Sequence, residues 1–144
     1  MKVKWINDHI VKNQLLTDFK NEYWMQLNVD LETVQEEIDK LNSDNRPIVG
    51  EFIKNNREII NDAEIELEYL SHEIKNIRLV DSKIYGDVYF MEGTPDDSTS
   101  LAKEASQALR VGESFMALRS FGLQGNKDTP TQIQCIITWD IKLK

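Results

Sequence analysis

The residues able to do acyl-transfer chemistry here are a histidine, two serines and an arginine. His72, in Leu70-Ser71-His72-Glu73, is a candidate general base, and Ser114 and Ser120 are candidate nucleophiles. A serine attacks a carbonyl only when a base within hydrogen-bond reach takes its proton. Either hydroxyl therefore matters only if folding brings it to His72; otherwise His72 is a strand-end histidine bonded to a neighbour. Arg119 lies inside the otherwise apolar run Phe115-Met116-Ala117-Leu118-Arg119-Ser120-Phe121. A charge in such a run must be paired or must serve a site, and a structural ion pair and an anion-binding role are equally open. Glu51, after Gly50 in another short apolar run, meets the same requirement and is the expected partner of Arg119. Cys135 alternates with apolar residues and is expected as an inert core thiol. His9 lies in a polar stretch and is expected at the surface. Gly122-Leu123-Gln124-Gly125 is not a phosphate loop, because the Lys-Ser/Thr ending and the following helix are missing.

Composition bounds what these residues can belong to. The chain has 144 residues, 40% apolar and 29% charged, which suits one folded domain with a real core. We expect a single domain over 1–144, with an N-terminal strand or arm at 1–23 and a core at 24–144. No apolar run approaches the roughly 20 residues that cross a bilayer, and the polar residues after Trp5 speak against a signal peptide. One cysteine and two distant histidines leave no internal disulfide and speak against a structural zinc site, so no metal and no cofactor is expected. Seventeen Lys+Arg against 25 Asp+Glu give a net charge of −8, which argues against a general nucleic-acid binder but leaves room for a local basic patch.

The elements that must position these side chains are α+β. Lys2 to Ile6 alternates as a strand, and Ile10, Leu15, Leu16 and Phe19 suggest one face of a short helix within 9–24. Asp30 caps a clear amphipathic helix, with Leu31, Val34, Ile38 and Leu41 on one face and Glu32, Glu36, Glu37 and Asp39 on the other. Asn42 to Pro47 is a loop, Ile48 to Phe52 a strand with a bulge or close approach at Gly50, and Lys54 to Asn61 a surface connection. Three further strands are expected: Ile65-Leu67-Tyr69, Ile74-Ile77-Leu79, and a central one over Ile84 to Met91 after the turn Asp81-Ser82-Lys83. Gly93 to Asp97 is a loop, and Ser98 or Thr99 caps a helix to about Val111 with Leu101, Ala105, Ala108 and Leu109 inward. Phe115 to Phe121 is a strand, Gly122 to Pro130 a flexible loop, and Gln132 to Ile141 a last strand with Ile133, Cys135, Ile137 and Trp139 inward.

Several pieces then fall into an order. Arg46-Pro47-Ile48-Val49-Gly50-Glu51-Phe52 is followed by Ser71-His72-Glu73-Ile74, Ile84-Tyr85-Gly86-Asp87-Val88, Glu92-Gly93-Thr94-Pro95, a helix, Arg119 in a strand, and Ile137-Thr138-Trp139-Asp140-Ile141. This order resembles the capsid-maturation (prohead core) serine proteases of large tailed bacteriophages, over roughly Trp24 to Leu143. The resemblance implies a herpesvirus-assemblin-like mixed β-barrel, of about six strands with two or three helices, in an enzyme that cleaves scaffold and capsid proteins. The family's catalytic histidine lies in a Gly-Glu-Leu-x-His-Pro motif; the matching Gly50-Glu51-Phe52-Ile53-Lys54-Asn55 has Lys54 in its place. The family's nucleophile lies in Gly-x-Ser-Ser-Arg-Gly, and here Ala117 and Leu118 occupy the serine positions, with only Arg119, an oxyanion-site residue in the family, retained.

The departures imply a degenerate member. Loss of nucleophile or base costs on the order of a million-fold in turnover. A rescue needs His72 with Ser114 or Ser120, and neighbouring strand positions face opposite ways, so Ser120 replaces Leu118 only with a register change. The first expectation is a catalytically inactive phage head or assembly protein that binds capsid, scaffold or other head proteins, with a homo-oligomer left open. It would reside in the virion or, during assembly, in the host cytoplasm, with no membrane contact. The acidic helix at Glu32 to Asp39 and the Gly122 to Pro130 loop are its candidate contact surfaces. The alternatives are an active serine endopeptidase with displaced residues, and a regulator or inhibitor of a phage or host protein. Glu51 and Arg119 are expected to pair near the former active-site cleft.

Overall fold

The computed structural model describes residues 2–54, 64–91, 101–125 and 128–144. In chain order they form β1 (Lys4–Asn7), β2 (Ile10–Asp18), α1 (Glu22–Leu27), α2 (Leu31–Ser43), β3 (Ile48–Ile53), a 3-10 turn (Leu67–Tyr69), β4 (Leu70–Val80), β5 (Lys83–Phe90), α3 (Leu101–Arg110), β6 (Ser114–Leu123) and β7 (Gln132–Leu143). The class is α+β, and the strands make a seven-stranded sheet in the order β1-β2-β5-β4-β3-β7-β6. Every neighbour pair is antiparallel except β3 with β7, which run parallel through Phe52↔Ile141 and Ile53↔Lys142. The expected closed barrel is not formed: the sheet is open, with β1 and β6 as its edges. It curls enough that Trp139 Nε1 on β7 donates to Thr17 Oγ1 on β2 at 2.8 Å. No helix among the described residues is long and apolar enough to cross a membrane.

The helices follow their sequence signals. Asp30 caps α2 by accepting from the Glu32 N–H at 3.1 Å, and Val34, Ile38 and Leu41 are buried while Glu32, Glu36 and Asp39 stay exposed; Glu37, expected on that exposed face, is instead buried and accepts from Lys40 Nζ at 3.0 Å. In α3, Ala102, Ala105, Ser106 and Ala108 are buried. The core joins these faces to Val11, Ile74, Ile84, Val88, Ile136, Trp139 and Ile141. The strand over residues 84–90 is central as expected, between β2 and β4. The expected connection at 55–61, the loop at 92–97, the Ser98 or Thr99 cap, and Asn126 and Lys127 lie outside the described residues.

Four readings need correction, two of them because of backbone irregularities. Residues 10–18, expected as arm or helix, are an inner strand. Asn13 takes φ 57° and the β2–β5 register shifts twice, which breaks the period of two and imitates a helical spacing. The Ile65-Leu67-Tyr69 alternation gives a single 3-10 turn instead of a strand, and Leu67 is 81% exposed. Residues 122 and 123 belong to β6, so the expected loop starts later. Cys135 is exposed and is not a core thiol. Register shifts between Arg119 and Ser120 and between Phe121 and Gly122 insert extra β7 residues, so Ile133, Ile136 and Trp139 point inward and Cys135 outward. In β4 a shift around Asn76, φ 54°, likewise turns both Ile74 and Ile77 inward at a spacing of three.

Candidate functional site

Three neighbouring strands deliver the most polar part of the interior. Arg119 on β6, Asp140 on β7 and Glu51 on β3 are 5%, 2% and 1% exposed. Arg119 holds Asp140 in a two-pronged contact, Nε to Oδ2 at 2.9 Å and Nη2 to Oδ1 at 2.8 Å. Its Nη2 also donates to Glu51 Oε2 at 3.0 Å and its Nη1 to the Glu64 carbonyl at 2.8 Å. The carboxylates are themselves held, Asp140 by the Glu51 N–H at 3.0 Å and Glu51 by the Glu66 N–H at 3.1 Å. The Glu51–Arg119 contact is the one expected from sequence; Asp140 was not singled out. It carries the same signal, an acid inside the apolar Ile136–Ile141 run. Burial pushes the Asp140 carboxyl up, only partly offset by the guanidinium and the Glu51 N–H. Burial alone would lower Arg119, but its bonds to Asp140 and Glu51 outweigh that and leave it raised.

This arrangement fixes what Arg119 can do. An oxyanion donor needs N–H groups aimed at an empty position, whereas four of the five guanidinium N–H groups are spent on two carboxylates and a carbonyl. Beside the cluster lies a cavity of about 160 Å³ lined by Ile53, Ala117, Leu118, Arg119, Ser120, Asp140 and Lys142. Ala117 and Leu118 stand opposite Asp140 and Trp139 in the β6–β7 ladder and bring no nucleophile. Lys54 lies at the end of β3, its Nζ 2.5 Å from Glu104 Oε2 on α3, in a partly exposed ion pair.

His72 occupies a different place. It is fully buried on β4, opposite Gly50 on β3. A Cβ at position 50 would sit 2.4 Å from His72 Nε2 and 2.4 Å from the Trp139 carbonyl oxygen, so only glycine lets the imidazole cross β3 to reach β7. There Nε2 donates to the Trp139 carbonyl at 2.7 Å, which leaves Nδ1 to accept from Ser71 Oγ at 2.6 Å. Both ring nitrogens are occupied, and neither candidate serine hydroxyl is among their partners. Ser114 and Ser120 lie on β6, separated from β4 in the sheet by β3 and β7, roughly 14 Å along it. Ser114 is buried, its Oγ without a partner among the described residues, and with Ser120 it lines a cavity of about 700 Å³ between β2 and β6. His72 lines neither of these two cavities. His9 is exposed, and no group of three or more His, Cys, Asp or Glu able to hold a metal occurs among the described residues.

Burial lowers the His72 pKa to about 4, against a smaller opposing effect of the Trp139 carbonyl. A neutral buried imidazole makes the fold acid-sensitive. Between the ordinary histidine value of about 6.5 and about 4 the unfolded chain binds the proton that the folded chain refuses, so stability falls as pH falls. The expected loss is about 3 kcal/mol on going from pH 7.5 to pH 4. Urea unfolding across this range checks it, with His72→Gln giving a flatter profile. The carboxyl of Asp87 acts in the same direction at lower pH: burial raises its pKa, but Asn76, the Asn13 N–H, Lys12 and Arg78 outweigh that and hold it low.

No protein-family model matches the chain, no curated protein is significantly similar to it, and no solved structure matches it significantly.

Proposed function

We propose that this chain is a catalytically inactive assembly protein of a bacteriophage head, acting by binding other head proteins. The phage setting rests on the motif order that resembles the prohead proteases. The separation of His72 from Ser114 and Ser120 supports the lack of chemistry most directly, because the base is satisfied by Ser71 and Trp139 and shares no hydrogen bond with either hydroxyl. The retained arginine supports it too: bound to Asp140, Glu51 and the Glu64 carbonyl, it ties β6, β7 and β3 together and spends four of its five N–H groups on structural partners.

The test is a time course of the purified chain with scaffold and capsid proteins of its phage, alongside Ser114→Ala and Ser120→Ala. The expected result is no cleavage, no labelling by a fluorophosphonate, and co-elution with a head protein. Cleavage abolished by one serine variant would establish a relocated nucleophile and end this reading. Neither cleavage nor co-elution, with capture of a non-virion protein from infected cells, would favour a regulator.

A further inference from the structure

The outer side of the β1-β2-β5-β4 half of the sheet departs from the acidity of the chain. Lys4 stands opposite Lys12 in the β1–β2 ladder, and Asp87 opposite Lys75 in the β5–β4 ladder. Lys12 Nζ donates to Tyr89 OH at 2.7 Å and reaches Asp87 Oδ2 at 3.5 Å. The Lys12 and Lys75 ammoniums lie 5.0 and 4.9 Å from the centre of the Tyr89 ring. Arg78 sits 3.9 Å from Asp87, and Glu73 3.5 Å from Lys75. Asp87 is only 8% exposed at its side chain, while Lys12 and Lys75 are 34% and 54% exposed, so solvent meets the ammoniums and not the carboxylate beneath them. The result is a cationic row, Lys4-Lys12-Lys75, on a chain of net charge −8. The Tyr89 ring is covered by amines, which disfavours base stacking and favours a partner carrying carboxylates.

The chain carries a matching surface. Glu32, Glu36 and Asp39 form an exposed stripe on α2, opposite its buried Val34, Ile38 and Leu41, and the exposed Lys40 beside them is paired with Glu37 at 3.0 Å. At 1.5 Å per residue that stripe is about 10 Å long. Lys12 and Lys75 are two strand spacings apart, again about 10 Å. We propose that the Lys4-Lys12-Lys75 face docks the acidic stripe of α2 from a second copy of this chain. The two patches are different surfaces, so the contact repeats head to tail. The inference rests on the proposed assembly role for its setting, but the Lys4→Glu/Lys75→Glu variant removes self-association without altering α2 or the 122–130 loop and should leave co-elution with a head protein untouched.

The test is sedimentation velocity of the full chain at about 50 mM and about 500 mM salt, since screening weakens such a contact. The expected result is concentration-dependent association at low salt that is lost at high salt. Lys4→Glu/Lys75→Glu and Glu32→Lys/Glu36→Lys, all at exposed positions, should each weaken it more than about tenfold. An equimolar mixture of the two variants should associate again, because each supplies the charge that the other reversed. Unchanged circular dichroism and melting would show both variants folded. A wild-type chain that stays monomeric at low salt, or association indifferent to both reversals, would overturn the proposal. Binding of single-stranded DNA by this face without self-association would also overturn it.

Discussion

Arg119→Met is expected to destabilise the fold by about 3–5 kcal/mol in urea unfolding, a large part of the stability of an ordinary domain. The methionine fills much of the space, so the loss is not mainly one of volume. It comes from Asp140 and Glu51, which are 2% and 1% exposed and lose the guanidinium that both of them bind. Replacing those acids in the same background should recover part of the loss: Arg119→Met/Asp140→Asn more stable than Arg119→Met alone, with strong non-additivity in the cycle. Asp140 matters more than Glu51, since it takes two of the guanidinium bonds. A loss below about 1 kcal/mol would mean that the cluster contributes little and that Arg119 is held for another purpose.

Gly50→Ala is expected to cost about 2–4 kcal/mol although it adds one methyl group. The new carbon would lie 2.4 Å from His72 Nε2 and from the Trp139 carbonyl oxygen, and 2.6 Å from His72 Cε1. One obstacle is backbone, and the other is a ring enclosed on all sides. Accommodation must move both the imidazole and the Trp139 carbonyl away from the new carbon, which breaks their hydrogen bond and leaves a buried acceptor without its donor. His72→Ala added to Gly50→Ala should therefore cost less than the sum of the two single changes. Simple additivity would show that the ring and the glycine do not share this crossing.

What was legible in the sequence follows from how local each determinant is. The α2 helix was legible because a capping aspartate and an uninterrupted period of 3.6 coincide within its own residues. The Arg119–Glu51 contact was legible because an isolated charge in an apolar strand demands a partner wherever the partner lies. Asp140 had the same signal and shows that the rule should be applied to every strand. β2 and the face of Cys135 were not legible, because extra residues at register shifts change which side of a strand is buried. Nor could the sequence say that His72 is shut away from Ser114 and Ser120. That depends on the sheet order, in which β3 and β7 lie between them. That the sheet stays open has the same origin, since closing a barrel depends on whether the remote edges β1 and β6 bond.

The single parallel pairing in the sheet has a consequence for synthesis. β3, at residues 48–53, finds its second neighbour only in β7, at Phe52↔Ile141 and Ile53↔Lys142. A ribosome will have delivered β1 to β5 long before that partner leaves the exit tunnel. During that interval the nascent sheet exposes the β3 flank, with Glu51 awaiting an arginine that has yet to emerge. Pairing of the β3 flank is thus timed by β7, and the growing chain is most open to chaperones and to strand exchange there until β7 emerges.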